Sequence, residues 1–356
     1  MAAIMTQSGC SDKSAPAQAP QSEMGVEVER IAGEAAVSPR TPIEQRSASG
    51  LTVQWLPYGG HLHSVRMPDG TEVLAHYEDP EDYRGGAPYL GGLIGRVGNR
   101  IAGATFAIDG QDFTVSANEN GHALHAGPEG FDTRIWDVAR EGEELVFRHT
   151  SPAGHQGYPG NLDVTVRATL GERELKIKFL AITDAPTPVN LTQHGYWNPS
   201  GRFNQPIDTL RLTSAADRYT QVDNNNIPTG LNPEVDLTPL DFREARPIGP
   251  EPIDINLMVP GEGLREMAHL SDGVRTITVL SDYPGLQLFT GEALQGIPGV
   301  SPRGALAIEP QYPPNAVNQP VDGHDTILRP GEVYRHTIIY RFDGPGLRRT
   351  TGLRDQ

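Results

Sequence analysis

The sequence contains a single cysteine, Cys10, among its 356 residues. One thiol cannot form an intramolecular disulfide, and it excludes metal sites built from several cysteines. The chain also lacks any run of about 18 apolar residues, so no transmembrane helix is expected. Positive charge is scarce, because 29 Lys and Arg residues face 45 Asp and Glu residues and the formal net charge is −16. Nucleic acids and anionic membranes bind basic patches, so this balance argues against both as partners.

Glycine and proline are abundant, with 40 and 31 residues, whereas hydrophobic residues make up only 37% of the chain. This composition favours many short strands joined by turns. Alternating apolar and polar runs are interrupted by turn signals at Asp69-Gly70, Asp109-Gly110, Glu141-Gly142 and Gly171. Helical periodicity is confined to one short turn in DPEDYRGG (79–86). We therefore predict an all-β fold, a large meandering antiparallel β-sandwich in a single domain over residues 47–345.

The two ends of the chain are predicted to be tails, residues 1–46 and residues 346–356. Within the first tail, the small residues of SGC (8–10) precede a Ser/Ala/Pro/Gln-rich tether. This arrangement resembles a bacterial lipoprotein processing site, although it has no basic segment and only a short apolar one. A periplasmic or lipid-anchored location is therefore expected ahead of a cytoplasmic one, with Cys10 as a lipidation candidate. The alternative is a disordered tail with an incidental cysteine.

Two segments combine glycine with arginine or histidine. GGLIGRVGNRIAG (91–103) contains Arg96 and Arg100, with Asn99 beside the second. Arginine offers a fixed fork of donors to oxygen-rich ligands, but a structural arginine in a turn is the alternative. No Gly-Lys-Ser/Thr follows, so a phosphate loop is excluded. His122 and His125 lie in the loop of NENGHALHAGPEGFDTRIW (118–136). A third metal ligand is missing nearby in the sequence, which favours a polar ligand contact over a metal site.

Two further segments carry candidate acid–base groups. In RGALAIEPQYPPNAVNQP (303–320), Glu309 ends an apolar run and precedes Pro310. Burial would raise the pKa of such a carboxyl and suit it to be a general base, whereas a strand-end glutamate can also face solvent. In NLTQHGYWNPSG (190–201), His194 precedes an aromatic pair. This histidine could be a core imidazole, a metal ligand or a proton donor. Asn190 begins a formal glycosylation sequon, which we interpret as strand.

Taken in order along the chain, these segments resemble the aldose 1-epimerase (galactose mutarotase) family. GRVGNRIAG resembles its Gly-Arg-x-x-Asn-Arg-Ile signature, and HALHAGPEGFDTRIW its Leu-His-Gly…Gly-Phe-Asp…Trp segment. NLTQHGYWNPSG is similar to Asn-Leu-Thr-x-His-x-Tyr-Phe-Asn-Leu-x-Gly, and IEPQYPPNAVNQP to the Glu-x-Gln block. The match extends from about Leu51 to Phe342. It implies a β-sandwich of the mutarotase type and interconversion of the α and β anomers of free aldohexoses, without a cofactor or a metal.

The resemblance also implies residue roles. Glu309 corresponds to the general base of the family and His194 to its general acid. Arg100 and His125 are expected around the ring and anomeric oxygens, with Asn99 beside them. Asp254 corresponds to an aspartate that contacts sugar hydroxyls, although Ile255 follows it where the family usually has histidine. Other departures that could reshape the pocket are Ala126, Trp197, Pro199 and Tyr312-Pro313-Pro314. His122 lies outside the motif and is expected to be structural.

Two alternatives stay open at this point. A hexose-6-phosphate 1-epimerase shares the fold and mechanism, but it needs additional Arg or Lys near the pocket mouth to hold the phosphate. A non-catalytic sugar-binding module on the same fold would be expected to lack His194 or Glu309, and both are present. The predicted partner is a small-molecule sugar, and the chain is expected to be a monomer or a homodimer.

Overall fold

The computed structural model describes residues 38–85 and 88–347, and in these ranges the backbone forms strands and short 3₁₀ helices without an α-helix. The strands are β1 (Ile43–Arg46), β2 (Thr52–Leu56), β3 (His61–Arg66), β4 (Leu93–Ile94), β5 (Arg100–Ile101), β6 (Thr105–Ile108), β7 (Gln111–Thr114), β8 (Ala123–Leu124), β9 (Asp137–Glu141), β10 (Glu144–Ser151), β11 (Leu162–Leu170), β12 (Glu174–Thr183), β13 (Thr187–Pro188), β14 (Thr192–Gln193), β15 (Tyr196–Trp197), β16 (Arg211–Ser214), β17 (Arg218–Tyr219), β18 (Arg246–Pro247), β19 (Asp254–Met258), β20 (Arg265–Ser271), β21 (Thr276–Ser281), β22 (Gly285–Phe289), β23 (Leu306–Gln311), β24 (Ile327–Leu328) and β25 (Tyr334–Asp343). The 3₁₀ helices are Pro80–Gly85, Ala102–Ala104, Phe131–Thr133, His155–Gly157, Ile207–Thr209 and Glu292–Leu294. The first of them is the helical turn expected from DPEDYRGG. Over the described residues, no helix has the length and apolarity needed to cross a membrane.

Two large antiparallel sheets dominate the structure. The nine-stranded sheet has the order β18-β16-β20-β21-β25-β12-β11-β10-β9, and the five-stranded sheet has the order β15-β23-β22-β19-β17. A three-stranded sheet, β1-β2-β3, and the pairs β13-β24, β14-β4, β5-β8 and β6-β7 complete the described strands. The prediction of an all-β antiparallel sandwich is therefore confirmed.

Two of the turn signals of the sequence, Asp109-Gly110 and Gly171, lie between paired strands, as predicted. Asp109 and Gly110 connect β6 to β7, where Ile108 pairs with Gln111, and both turn residues have positive φ angles of 51° and 81°. Two positive φ angles in a two-residue connection match the twist of a hairpin, and glycine adopts them without a steric cost. Gly171 likewise separates β11 from β12, which pair along their whole length.

The main core lies between the two large sheets. Leu286, Leu288 and Ile308 of the five-stranded sheet pack in one buried cluster with Ile177 and Tyr340 of the nine-stranded sheet. Because side chains alternate along a strand, the residues next to these must face the other side of the five-stranded sheet.

That other face carries a row of polar residues. Asn256 of β19 pairs with Gln287 of β22, and Gln287 pairs with Glu309 of β23, so the three residues occupy directly opposite positions. All three are buried. Burial of polar groups is costly unless a partner satisfies them, so this face is the expected place for a binding site.

The ordered fold begins before residue 47. Strand β1, which lies within the segment assigned to the N-terminal tail, pairs with β2 over four residues. Its Gln45 is buried and donates hydrogen bonds from Nε2 to the carbonyls of Glu143 and Ala168, each at 3.1 Å. Cys10 lies outside the described residues, as does the C-terminal segment 348–356.

Candidate active site

Glu309 and His194 form the centre of the buried polar face. Strand β15 pairs Tyr196 with Ala307, and continuing this antiparallel register by two residues brings His194 opposite Glu309. His194 Nε2 lies 3.4 Å from Glu309 Oε1, and the two residues are only 4% and 2% exposed. The alternative of a strand-end glutamate facing solvent is therefore wrong.

Burial controls the protonation of this pair. It raises the pKa of Glu309 well above its usual value, an effect that the charge of Asp254 increases and that of Arg100 opposes. It lowers the pKa of His194 to about 3. In both groups burial therefore favours the neutral form, the protonated carboxyl of Glu309 and the unprotonated imidazole of His194. His194 Nδ1 and Glu309 Oε2 are buried without a hydrogen-bond partner in the protein, so each has unsatisfied hydrogen-bonding capacity.

His125 follows β8, which pairs with β5 and so brings it beside Asn99. The Asn99 amide donates to His125 Nδ1 at 3.2 Å, and the His125 amide donates to the Asn99 carbonyl at 3.0 Å. Burial, followed by the charges of His194 and Arg100, lowers the pKa of His125 well below its usual value. Since Nδ1 of this neutral ring accepts, its proton must be on Nε2, which makes Nε2 a donor.

Arg100 lies between Asn99 and Asp254 of strand β19. Its Nε and Nη2 donate to the two carboxylate oxygens of Glu119 at 2.5 and 3.1 Å, and its Nη2 lies 3.7 Å from Asp254 Oδ2. Asp254 accepts from Gln287 Nε2 at 2.6 Å and from Asn226 Nδ2 at 2.9 Å. Burial raises the pKa of Asp254 and the Arg100 charge opposes this shift.

The structure thus brings together all six residues singled out from the sequence. The His125 ring lies edge-on to the His194 ring, with centroids 5.3 Å apart, and Arg100 links Asn99 to Asp254. The result is a buried imidazole and carboxyl pair lined by hydrogen-bond donors and acceptors of the kind that suit a polyhydroxylated ligand.

Other residues at the site carried no usable local signal in the sequence. Glu119 and Asn226 lie in loops rich in polar residues, where nothing distinguishes them from their neighbours. Gln287 was detectable, because it is a polar residue between Leu286 and Leu288 in a buried strand. The ring centroid of Tyr89 is 4.5 Å from that of His125. Tyr89 follows a glycine-rich segment, where no alternation of apolar and polar residues indicates the direction of its side chain.

Several candidates proved to be structural. Of the two arginines in segment 91–103, Arg96 is structural, because its guanidinium is buried and donates only to carbonyl and hydroxyl oxygens. His122 Nδ1 accepts the Gly103 amide at 2.9 Å, as a structural histidine would. Trp197 lies in the main core against Tyr340, with ring centroids 4.4 Å apart, and so lines the core instead of the site.

His125, His194 and Glu309 also form a potential set of metal ligands. Their donor atoms all lie within 4.8 Å of one another, and two imidazoles with a carboxylate are a ligand set that zinc accepts. No third metal ligand lies close to His125 in the sequence, but the fold brings His194 and Glu309 to it. The same three groups can act on a ligand by proton transfer and hydrogen bonding, which requires no metal.

Comparisons with known proteins agree on one class. Residues 43–341 match the family model described as aldose 1-epimerase. Aldose 1-epimerase of Escherichia coli K12 is 34% identical over 324 residues, covering 83% of this chain and 93% of that protein. Human galactose mutarotase is 34% identical over 313 residues, covering 82% of this chain and 91% of the relative.

Solved structures give the same result. The aldose epimerase homologue from C. elegans superposes with a TM-score of 0.79 at 28% identity, covering 85% of this chain and 99% of that structure. Galactose 1-epimerase from Lactobacillus acidophilus superposes with a TM-score of 0.77 at 25% identity, covering 85% and 94%. Fold and site therefore define a mutarotase-like protein. The chain belongs to the aldose 1-epimerase family.

Proposed function

We propose that the protein is an isomerase that interconverts the α and β anomers of a free aldohexose of the galactose or glucose type, with Glu309 and His194 moving the protons. The observation that carries this proposal is the buried pair itself. Its facing atoms are 3.4 Å apart, and each residue keeps a second polar atom without a protein partner. Acid–base catalysis requires such groups within hydrogen-bond reach of the reacting oxygens.

The reaction needs two coupled proton transfers. Glu309, as the carboxylate, takes the proton of the anomeric hydroxyl while the bond between the anomeric carbon and the ring oxygen breaks. The electron pair of that bond goes to the ring oxygen, which takes a proton from His194. The open-chain aldehyde then rotates about the bond next to its carbonyl carbon. Closure on the other carbonyl face returns both protons and gives the opposite anomer, so no net proton, electron or group is lost.

One shared proton is sufficient for this cycle. In the sugar-free site burial favours the form in which Glu309 carries this proton, and its transfer across the 3.4 Å contact gives the carboxylate base and the imidazolium acid together. Polar hydroxyls of a bound sugar favour this charged form, because they solvate both ions. The neutral form returns when the ring opens. The pair therefore alternates between two distributions of one proton and requires no exchange with solvent.

Neighbouring donors stabilise the charge that develops on the sugar oxygens. His125 presents its Nε2–H, and Arg100 presents guanidinium N–H groups whose orientation is fixed by its ion pair with Glu119. Donors that are already oriented in a buried site cost no reorganisation when the charge develops. Asp254 and Gln287 complete the set of groups available to sugar hydroxyls.

Exchange NMR on equilibrated galactose, glucose, xylose and arabinose tests the proposal, because it measures anomer exchange without a coupled enzyme. We expect micromolar protein to accelerate exchange of galactose or glucose well above the buffer rate. Calorimetric binding of these sugars without acceleration would instead establish a binding module. Acceleration restricted to glucose 6-phosphate would establish the hexose-6-phosphate epimerase.

A further inference from the structure

The side chain of Glu119 occupies both donor positions on one edge of the Arg100 guanidinium. Nε and Nη2 each contact a different carboxylate oxygen, so the pairing is bidentate. Arg100 is 9% exposed at its side chain and Glu119 is 29% exposed, so the arginine is the more buried partner of the pair. A bidentate pair of this kind fixes the guanidinium plane in addition to balancing its charge.

The loop that carries Glu119 is itself held in place. The backbone of Glu119 pairs with that of His122 through two hydrogen bonds of 3.1 and 2.7 Å. One residue earlier, the Asn118 side chain accepts from the Leu124 amide at 2.7 Å and donates to the Leu124 carbonyl at 3.0 Å. Leu124 belongs to β8, which pairs with the strand of Arg100. Glutamate and arginine are therefore presented by the same small sheet and its connecting loop.

Charges around Arg100 are unequal. The guanidinium lies near two carboxylates, Glu119 at 2.5 Å and Asp254 at 3.7 Å, and Glu309 lies close enough for both Arg100 and Asp254 to shift its pKa. The charge of Glu119 also reaches Asp254, whose pKa it raises. Arg100 is thus neutralised before a ligand arrives, and the surplus charge at this side of the site is negative.

We infer that Glu119 is a positioning residue with a second role in specificity: it aims Arg100 at the sugar oxygens and cancels its charge, so that the site accepts neutral aldoses and disfavours anionic sugars such as uronates. A cation left without its partner would attract a sugar carboxylate, whereas one already paired offers hydrogen bonds without net charge. This inference rests on the proposed mutarotase activity and names the residue that restricts its substrates.

Two substitutions separate the two roles. Glu119→Gln removes the charge and nearly preserves the shape, and it leaves an amide that can accept only one of the two Arg100 hydrogen bonds. Glu119→Asp keeps the charge and shortens the reach. Glu144→Gln is the matched control, because Glu144 is also 29% exposed at its side chain and pairs with an arginine, Arg167, at 3.0 Å on the nine-stranded sheet.

Exchange NMR with galactose and galacturonate, recorded on the three variants and the wild type, gives the readout. For Glu119→Gln we expect kcat/KM for galacturonate relative to galactose to rise about tenfold, the effect of removing one unit charge near the site in a medium of intermediate dielectric constant. We expect KM for galactose to rise severalfold in the same variant, because Arg100 is aimed less firmly. For Glu119→Asp the ratio should stay at the wild-type value while galactose activity falls.

Ionic strength provides an independent readout of the charge effect. In the wild type, salt should lower KM for galacturonate by screening the repulsion, and in Glu119→Gln this dependence should weaken. An unchanged ratio of the two sugars in Glu119→Gln, with thermal melting and galactose exchange showing a folded enzyme, would overturn the inference. A wild type without galactose exchange would instead refute the proposed function, so the two failures are distinguishable.

Discussion

Asp132 allows a prediction in which pH and stability are linked quantitatively. Its side chain is 2% exposed, and Oδ2 has no protein partner. Burial, opposed by its own backbone amide and by the Arg134 charge, raises the pKa of this carboxyl from 3.8 to about 7. Between those two values the folded state holds a proton that the unfolded state has released. The free energy of unfolding must therefore fall as pH rises through this window.

The size of the effect follows from the shift. Because of this carboxyl, the free energy of unfolding falls by about 3 kcal/mol as the pH is raised from about 5 to about 8. Asp132→Asn removes the titration, so the stability of the variant relative to wild type should improve by about that amount between the two pH values. Urea unfolding followed by tryptophan fluorescence at both pH values measures it, with Asp137→Asn as the exposed control. A difference that stays constant with pH would refute a buried carboxyl of raised pKa.

Three further predictions concern other parts of the structure. Arg96→Lys should lower the free energy of unfolding by about 3 kcal/mol, because an ammonium supplies three donors where the buried guanidinium contacts six oxygens, and urea unfolding checks it. Anomer exchange should be unaffected by EDTA, whereas added Zn²⁺ should inhibit competitively with sugar by bridging His125, His194 and Glu309, as initial rates at several sugar concentrations will reveal. As pH falls through 6.5, the ordinary pKa of histidine, kcat/KM measured by exchange NMR should not fall, because burial lowers the pKa of His194 to about 3; a loss of kcat/KM centred at 6.5 would contradict a neutral, buried His194.

The fold was predictable because its signals are local. Turn dipeptides such as Asp109-Gly110 adopt the positive φ angles that a tight connection between two strands requires. Buried and exposed side chains alternate along β11 and β12 because only one face of these strands packs against the core. The sequence analysis missed strand β1, Ile43–Arg46. Its four residues have a single buried position, and a pattern this short does not distinguish a strand from a tail.

Local contrast in the sequence identified only part of the site, and the family resemblance supplied the other residue roles. Glu309 interrupts an apolar strand, and this contrast suggested a buried carboxyl. Arg100 and Arg96 have similar local sequences, and the family resemblance assigned a role to Arg100 alone. The structure gives the reason, because Arg100 contacts carboxylates whereas Arg96 is surrounded by carbonyl and hydroxyl oxygens. Glu119 reaches the site through a contact across 19 residues, which no local pattern encodes.

The central claim is that Glu309 moves the anomeric proton, and Glu309→Gln tests it most directly. The change keeps the shape and removes the base, so we expect kcat for galactose exchange to fall by about 10²-fold or more while calorimetry shows sugar binding within a few-fold of wild type. Glu72→Gln, the same change in a largely buried carboxyl outside the site, should keep its exchange rate once thermal melting shows that it is folded. Near-normal exchange in Glu309→Gln would contradict the account.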